Sequence, residues 1–260
     1  MTRIINIPGS DSSDFYFDIA SGNVPSVTMV NKFGINATIG TTAEDIWAAG
    51  GTLTYLTTAA TIEVISSSTN DTAAGTGARE ITIEGLDENW NEASETVATA
   101  GTSASTATTT TFIRVFRAVV SQAGAYGGSN AGNVTIRVSS AGSTQAYIST
   151  NQGQTQGAHY TIPRGHKAYI IDMHASVDTS KSVSYNVYKR TRANDNTVPF
   201  SSWQVLFEAP GLEGSNHLPP RSPLFIDEYT DLRVTGVVSA GSASGSFDYQ
   251  ILLSHLGVGE

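Results

Sequence analysis

Five histidines are the first residues to weigh for chemistry: His159, His166, His174, His217 and His255. The first three fall in one hairpin-like region, but their spacings match no compact zinc pattern, and no His-Glu-x-x-His occurs. On opposing strands His159 and His174 would be the pair able to meet, and solvated or hydrogen-bonded histidines are the simpler expectation. Asp87, Asn89 and Asn91 alternate like the start of a calcium loop. Glu92, however, stands where that loop needs its sharp-turn glycine, and the twelfth position is Ala98. Hairpin-turn chemistry accounts for the same residues. Gly241-Ser-Ala-Ser-Gly245 places Ala243 where a hydrolase elbow has its nucleophile. The carboxylates Glu84/Asp87, and Asp227/Glu228 with Asp231, would cleave glycosides only if held about 5–10 Å apart across a cleft. No phosphate loop or dinucleotide fingerprint is present. The expectation is a chain without catalytic residues, cofactor or metal.

Binding residues are the other option. Trp90 sits at the tip of an expected hairpin, where an aromatic anchors a protein contact, stacks on a sugar or folds back on its own sheet. Phe15, Tyr16, Phe17 and Ile19 lie in a turn-rich N-terminal stretch without a sustained period, and Phe33 follows in the first strand-like run. With Trp90 they form the expected docking set. Net charge is −9, and there are no cysteines, which excludes thiolate sites and disulfides. Residues 1–150 hold 6 Lys/Arg against 13 Asp/Glu, and residues 151–260 hold 8 against 10. Such a balance disfavours nucleic-acid binding, which depends on Lys and Arg neutralising phosphates. The charged fraction is only 14%, with small polar residues in its place, a composition suited to surfaces built into assemblies. No stretch is long and apolar enough for a membrane span or a signal-peptide core, so the chain is expected to be soluble.

The elements that must position these residues are strands. Thr61–Ser66, Arg79–Gly85, Ser94–Thr99, Thr110–Val120 and Asn133–Val138 are β-rich and bounded by turn formers. Leu53–Tyr55 is expected as a further strand, after a short capped helix turn at 41–47. The Thr/Ser/Ala run Thr99–Thr111 reads equally as loop or solvated strand. After the polar Ser149–Gly157 stretch, strands follow at Lys167–Val177, Ser182–Thr191, Ser202–Glu208, Leu224–Asp227, Leu232–Ser239 and Gly245–Leu253, the spacing of a sandwich. The fold class is therefore all-β: two β-sandwich domains, with a jelly roll an option for the second, and an extended N-terminal arm. The expected boundaries are 1–29 for the arm, 30–142 and 158–257 for the domains, and 143–157 for the linker.

The block Val30–Thr99, with Val-Asn-Lys-Phe-Gly at 30–34 and Thr-Asn-Asp-Thr-Ala-Ala-Gly-Thr-Gly-Ala at 69–78, resembles a block found in structural proteins of tailed bacteriophages, marine and cyanobacterial ones above all. Ile-Pro-Arg-Gly-His-Lys-Ala-Tyr-Ile from 162 and Asp-Glu-Tyr-Thr-Asp-Leu-Arg-Val from 227 look like recurring pieces of phage particle proteins. The resemblance implies a virion protein assembled in the host cytoplasm and a decoration or cement role on the capsid. Its partners would be other virion proteins, the major capsid protein first, and copies of itself in a symmetric oligomer such as a trimer. No family site residue carries over, because the matching positions are turns and core. An alternative class is a carbohydrate-binding adhesin of tail, baseplate or neck, stacking sugars on Trp90, Trp203 or exposed tyrosines.

Overall fold

The computed structural model describes residues 15–178, 180–195 and 201–255. They form one short helix, α1 (Phe15–Ala20), and sixteen strands. Four antiparallel sheets make two sandwiches, so the all-β, two-sandwich expectation holds.

The larger sandwich is built from both ends of the chain. One sheet contains β1 (Val27–Ile39), β16 (Ala243–His255), β10 (His166–Val177), β13 (Ser215–His217) and β14 (Leu224–Ile226). The other contains β12 (Gln204–Leu212), β11 (Val183–Arg190), β15 (Asp231–Val238), β2 (Glu44–Asp45) and β9 (His159–Thr161). Both β2 and β9 pair with β15, and both β13 and β14 pair with β10, so each couple fills one position of its sheet. Numbering the filled positions in chain order, one sheet reads 1-8-3-6 and the other 2-7-4-5, which is the jelly-roll order. Strict alternation specifies the register. In β16 Phe247, Tyr249, Ile251 and Leu253 point inward between Asp248, Gln250 and Leu252, and they meet Ile39, Tyr185, Val187 and Leu232 in the core.

The smaller sandwich is inserted between β2 and β9. It stacks β3 (Ile62–Ser66), β7 (Val134–Val138) and β8 (Thr144–Ile148) on β5 (Glu92–Ala98), β4 (Ala78–Asp87) and β6 (Phe112–Ala123). Ile62, Ile81, Ile83, Phe112, Ile136 and Ile148 fill its core. The Thr/Ser/Ala run is neither free loop nor solvated strand. Ser105 and Thr108 exchange backbone and hydroxyl hydrogen bonds with Val64 and Ile62, which closes the edge of β3.

These facts move the boundaries expected from sequence. Residues 1–14 of the expected arm lie outside the described residues, residues 15–20 are helical, and residues 27–29 open β1. Residues 30–47 belong to the C-terminal sandwich because β1 pairs along its length with β16, from Val27↔Ser254 to Ile39↔Ala243. Segment 41–47 forms no helix, since Glu44 and Asp45 pair with Gly236 and Thr235. Leu53–Tyr55 is irregular. The expected linker is fastened too: residues 144–148 are β8, Gly153 O accepts from Val120 N at 2.7 Å, Thr155 N donates to Ala118 O at 2.9 Å, and Gly157 bridges to Trp47.

Candidate functional site

The insertion leaves a cleft of about 340 Å³ between the edge of β1 and the smaller sandwich. Five consecutive β1 residues, Met29 to Phe33, form one wall. Both faces of a strand contribute only when its edge borders a space. Glu84, Glu92, Phe116 and Arg117 of the inserted sandwich form the opposite wall, with Gln154, Thr155 and Tyr160 at the junction.

Lys32 is buried at this cleft. Its Nζ donates to Phe116 O at 2.6 Å and lies 5.7 Å from the centre of the Phe116 ring. Burial, and then the charge of Arg117, lowers its pKa to about 7, with Glu84 pulling the other way. Arg117 Nη1 donates to both Glu84 oxygens, at 2.9 and 3.0 Å. Phe116 packs on Tyr160 with ring centres 4.8 Å apart, and burial pushes the Tyr160 hydroxyl far above its ordinary range. Beside it His159 is buried with Nε2 3.3 Å from Val115 O, and burial followed by the Lys32 charge brings its pKa down to about 3. A neutral imidazole donating Nε2–H to that carbonyl is the form this geometry holds.

A second junction joins the sandwiches deeper in. Arg114 on β6 reaches the fully buried Asp231 on β15 through Nε at 2.8 Å and Nη2 at 3.0 Å, while its Nη1 donates to Leu56 O and Ile113 O. Thr161 Oγ1 and Arg190 complete the shell around Asp231. Burial alone would raise the Asp231 carboxyl, but the guanidiniums of Arg114 and Arg190 hold it below the usual carboxylate range. The Arg114 guanidinium stacks near Tyr55 and Trp90, at 5.2 and 4.9 Å from the ring centres.

The expected docking residues divide. Phe15, Tyr16 and Phe17 are exposed by 44%, 50% and 61%, and Phe33 by 39% at the cleft. Ile19 is buried and anchors α1 instead of presenting itself to a partner. Trp90 also leaves the docking set. It turns at φ +66° and folds back, 8% exposed, with its ring 5.9 Å from Tyr229 in an edge arrangement. Trp203 is half-buried, with the guanidiniums of Arg190 and Arg233 4.8 and 4.3 Å from its ring centre.

The candidates for chemistry resolve in the same way. Asp87 Oδ1 accepts from Asn89 N and Asn91 N, closing the hairpin turn. His159 and His174 sit in different sheets, and His174 instead contacts Asp248 at 3.3 Å and Ser215 at 2.8 Å. His217 meets Asp172 at 2.6 Å. Among the described residues, no three His, Asp or Glu side chains converge on a common point suited to a metal ion. Asp231 is committed to its arginines and Glu228 to Gly165 N, so the carboxylates grouped around 227–231 do not face each other across a cleft. Lys32 escaped notice because it lies on the apparently polar parity of its strand.

Fold and site together define an all-β protein, a jelly roll carrying an inserted sandwich with a charged cleft at their boundary. No family model and no curated protein matches the chain. Among solved structures, the infectious bursal disease virus Gx strain is similar at 9% identity over 90% of this chain and 78% of that one, with a TM-score of 0.23. The infectious bursal disease virus VP2 subviral particle is similar at 9% identity over 89% and 77%, with a TM-score of 0.21. Likenesses this low bear on neither fold nor function.

Proposed function

We propose that this chain is a non-enzymatic structural protein of a virus particle, a decoration or cement protein of a tailed phage capsid, assembled in the host cytoplasm. The observation that carries this reading is the exposed run Phe15-Tyr16-Phe17, presented on a helix packed against β1 of a rigidly joined body. Three contiguous exposed aromatics are a docking feature, because aromatics dominate the energetics of protein interfaces. The resemblance of Val30–Thr99 to phage structural proteins supports the same reading, and viral capsid domains are among the uses of the jelly-roll architecture.

Attachment then works through many weak contacts, each copy adding binding free energy across boundaries between capsid subunits. The major capsid protein is the partner, and a symmetric oligomer, a trimer first, matches the symmetric sites of a capsid. Of the platforms expected for the adhesin alternative, Trp90 is buried and the ring of half-buried Trp203 is engaged by Arg190 and Arg233, which leaves exposed tyrosines such as Tyr126.

Re-addition of purified protein to particles lacking it tests the reading. Replacing Phe15, Tyr16 and Phe17 together by serine should cut occupancy at least about tenfold while leaving the melting temperature within about 2 °C, because exposed side chains contribute little to the core. Equal occupancy of variant and parent, or no binding of the parent to particles, refutes it.

A further inference from the structure

The ammonium of Lys32 has three N–H donors, and Phe116 O takes one. No other acceptor for them is found among the described residues, although the side chain is buried and borders a cleft large enough for a ligand. A buried cation with unused donors is costly unless an anion or further acceptors complete it. Glu84 is already engaged in both its oxygens by Arg117, and Glu92 is exposed. The remaining lining suits a sugar ring: the exposed Phe33 and the half-buried Phe116, itself backed by the buried Tyr160, border the space for its C–H side, and Gln154 lines it for hydroxyls.

We propose that this cleft binds an acidic saccharide, a uronate ring whose carboxylate is taken by Lys32 Nζ with the ring seated between Phe33 and Phe116. The claim is independent of the virion reading. It concerns a surface apart from Phe15–Phe17 and is measured on purified protein, so either can fail alone.

The probe is sodium glucuronate, titrated calorimetrically at pH 6.5 with glucose and an acidic hexapeptide as comparisons at equal ionic strength. Glucuronate should bind at least tenfold more tightly than glucose, and Lys32→Met should reduce that affinity at least tenfold. Because Lys32 loses its charge near pH 7, raising the pH from 6 to 8.5 should weaken binding by about tenfold or more, with proton uptake on binding at the higher pH. The charged and titratable groups facing Lys32 are Arg117 on β6, Glu84 on β4, Glu92 on β5, His159 and Tyr160 on β9, and its cross-strand partner Tyr249 on β16. With burial and Coulomb shifts taking His159 well below this window and the two tyrosines above it, Lys32 is the shifted group that titrates within it.

Should Lys32→Met fail to fold, Phe33→Ala at an exposed position carries the test and is expected to weaken binding at least threefold. Equal affinities for glucose and glucuronate, no glucuronate binding at 10 mM or roughly that concentration, or binding of the acidic peptide without glucuronate would each overturn the proposal.

Discussion

Raising the pH from 7 to 9 should stabilise this protein, and Lys32 sets how much. Its ordinary pKa of 10.5 applies to the unfolded chain, and burial brings it to about 7 in the folded one. Within this window the unfolded chain keeps its proton while the folded one releases it, so the unfolded state binds more protons and stability rises with pH. Integrating the two titrations gives a gain of about 2 kcal/mol between pH 7 and 9, out of about 4 kcal/mol for the whole titration above pH 7. The tyrosines at 55, 160, 185 and 249 are all pushed upward by burial, so an opposing contribution from them begins only above their unfolded value of 10. Denaturant titrations at pH 7, 8 and 9 on the parent and on Lys32→Met isolate the effect. The variant should show a flat profile and be more stable at pH 7 by about 1–3 kcal/mol, since the removed charge penalty exceeds the loss of the Phe116 carbonyl's partner. Parallel slopes for the two proteins would refute the assignment to Lys32.

Two further perturbations probe the junction. Arg114→Met leaves Asp231 with Arg190 and Thr161 and strands the carbonyls of Leu56 and Ile113, a loss of about 3–5 kcal/mol. A double-mutant cycle with Asp231→Asn should give a coupling above about 1.5 kcal/mol, whereas simple additivity would show that the pair does not act as a unit. Gly34→Ala should cost about 3 kcal/mol or more, because its new Cβ would lie 2.1 Å from Ile46 O and 2.5 Å from Ala158 N, both backbone atoms that must move. Gly51→Ala faces open space and meets only the penalty of its φ of +66°, about 1 kcal/mol. Equal costs for the two glycine variants, measured by thermal denaturation, would count against the close approach at Gly34.

The strands of both sandwiches were legible because alternation and β-branched residues mark half-buried strands locally, as in Glu80-Ile-Thr-Ile-Glu84. The partner of β1 was not. Val27 pairs with Ser254, and no local pattern encodes contact between residues so far apart in sequence. The parity of β1 was misleading as well. Met29 and Ile35 stand on the apolar parity with Phe33, the expected docking residue, yet Lys32, Gly34 and Asn36 on the other parity are the buried ones. Gly34 shows why: the backbone of Ile46 and Ala158 approaches so closely that only a glycine fits on that side, which commits its face inward and brings Lys32 along. Trp90 was undecided from sequence because its fate depends on Tyr229 and Arg114, both supplied by distant segments. The polar stretch 149–157 looked like a linker because its bonds run through the backbone, which composition does not report.

How the smaller sandwich is tied in determines what the cleft can do. Its entry and return strands, β2 and β9, pair with the same strand, β15, and the neck is closed by Ala158 N donating to Ile46 O and Ala48 N to Gln156 O, both at 2.9 Å. An insertion whose ends lie side by side adds little loop-closure cost and leaves the host sandwich intact. A neck alone would permit a hinge. Two further ties bear on that motion, Arg114 to Asp231 and Lys32 to Phe116 O, and they join the sandwiches away from the neck. Rotation about the neck would break a buried charge pair, at a cost of several kcal/mol. The cleft walls are therefore fixed before anything enters them, and a ligand binding there avoids the ordering cost that a hinged pair of domains would impose. The same rigidity would serve the proposed docking, because a body that does not flex would transmit load from its α1 aromatics to both sandwiches.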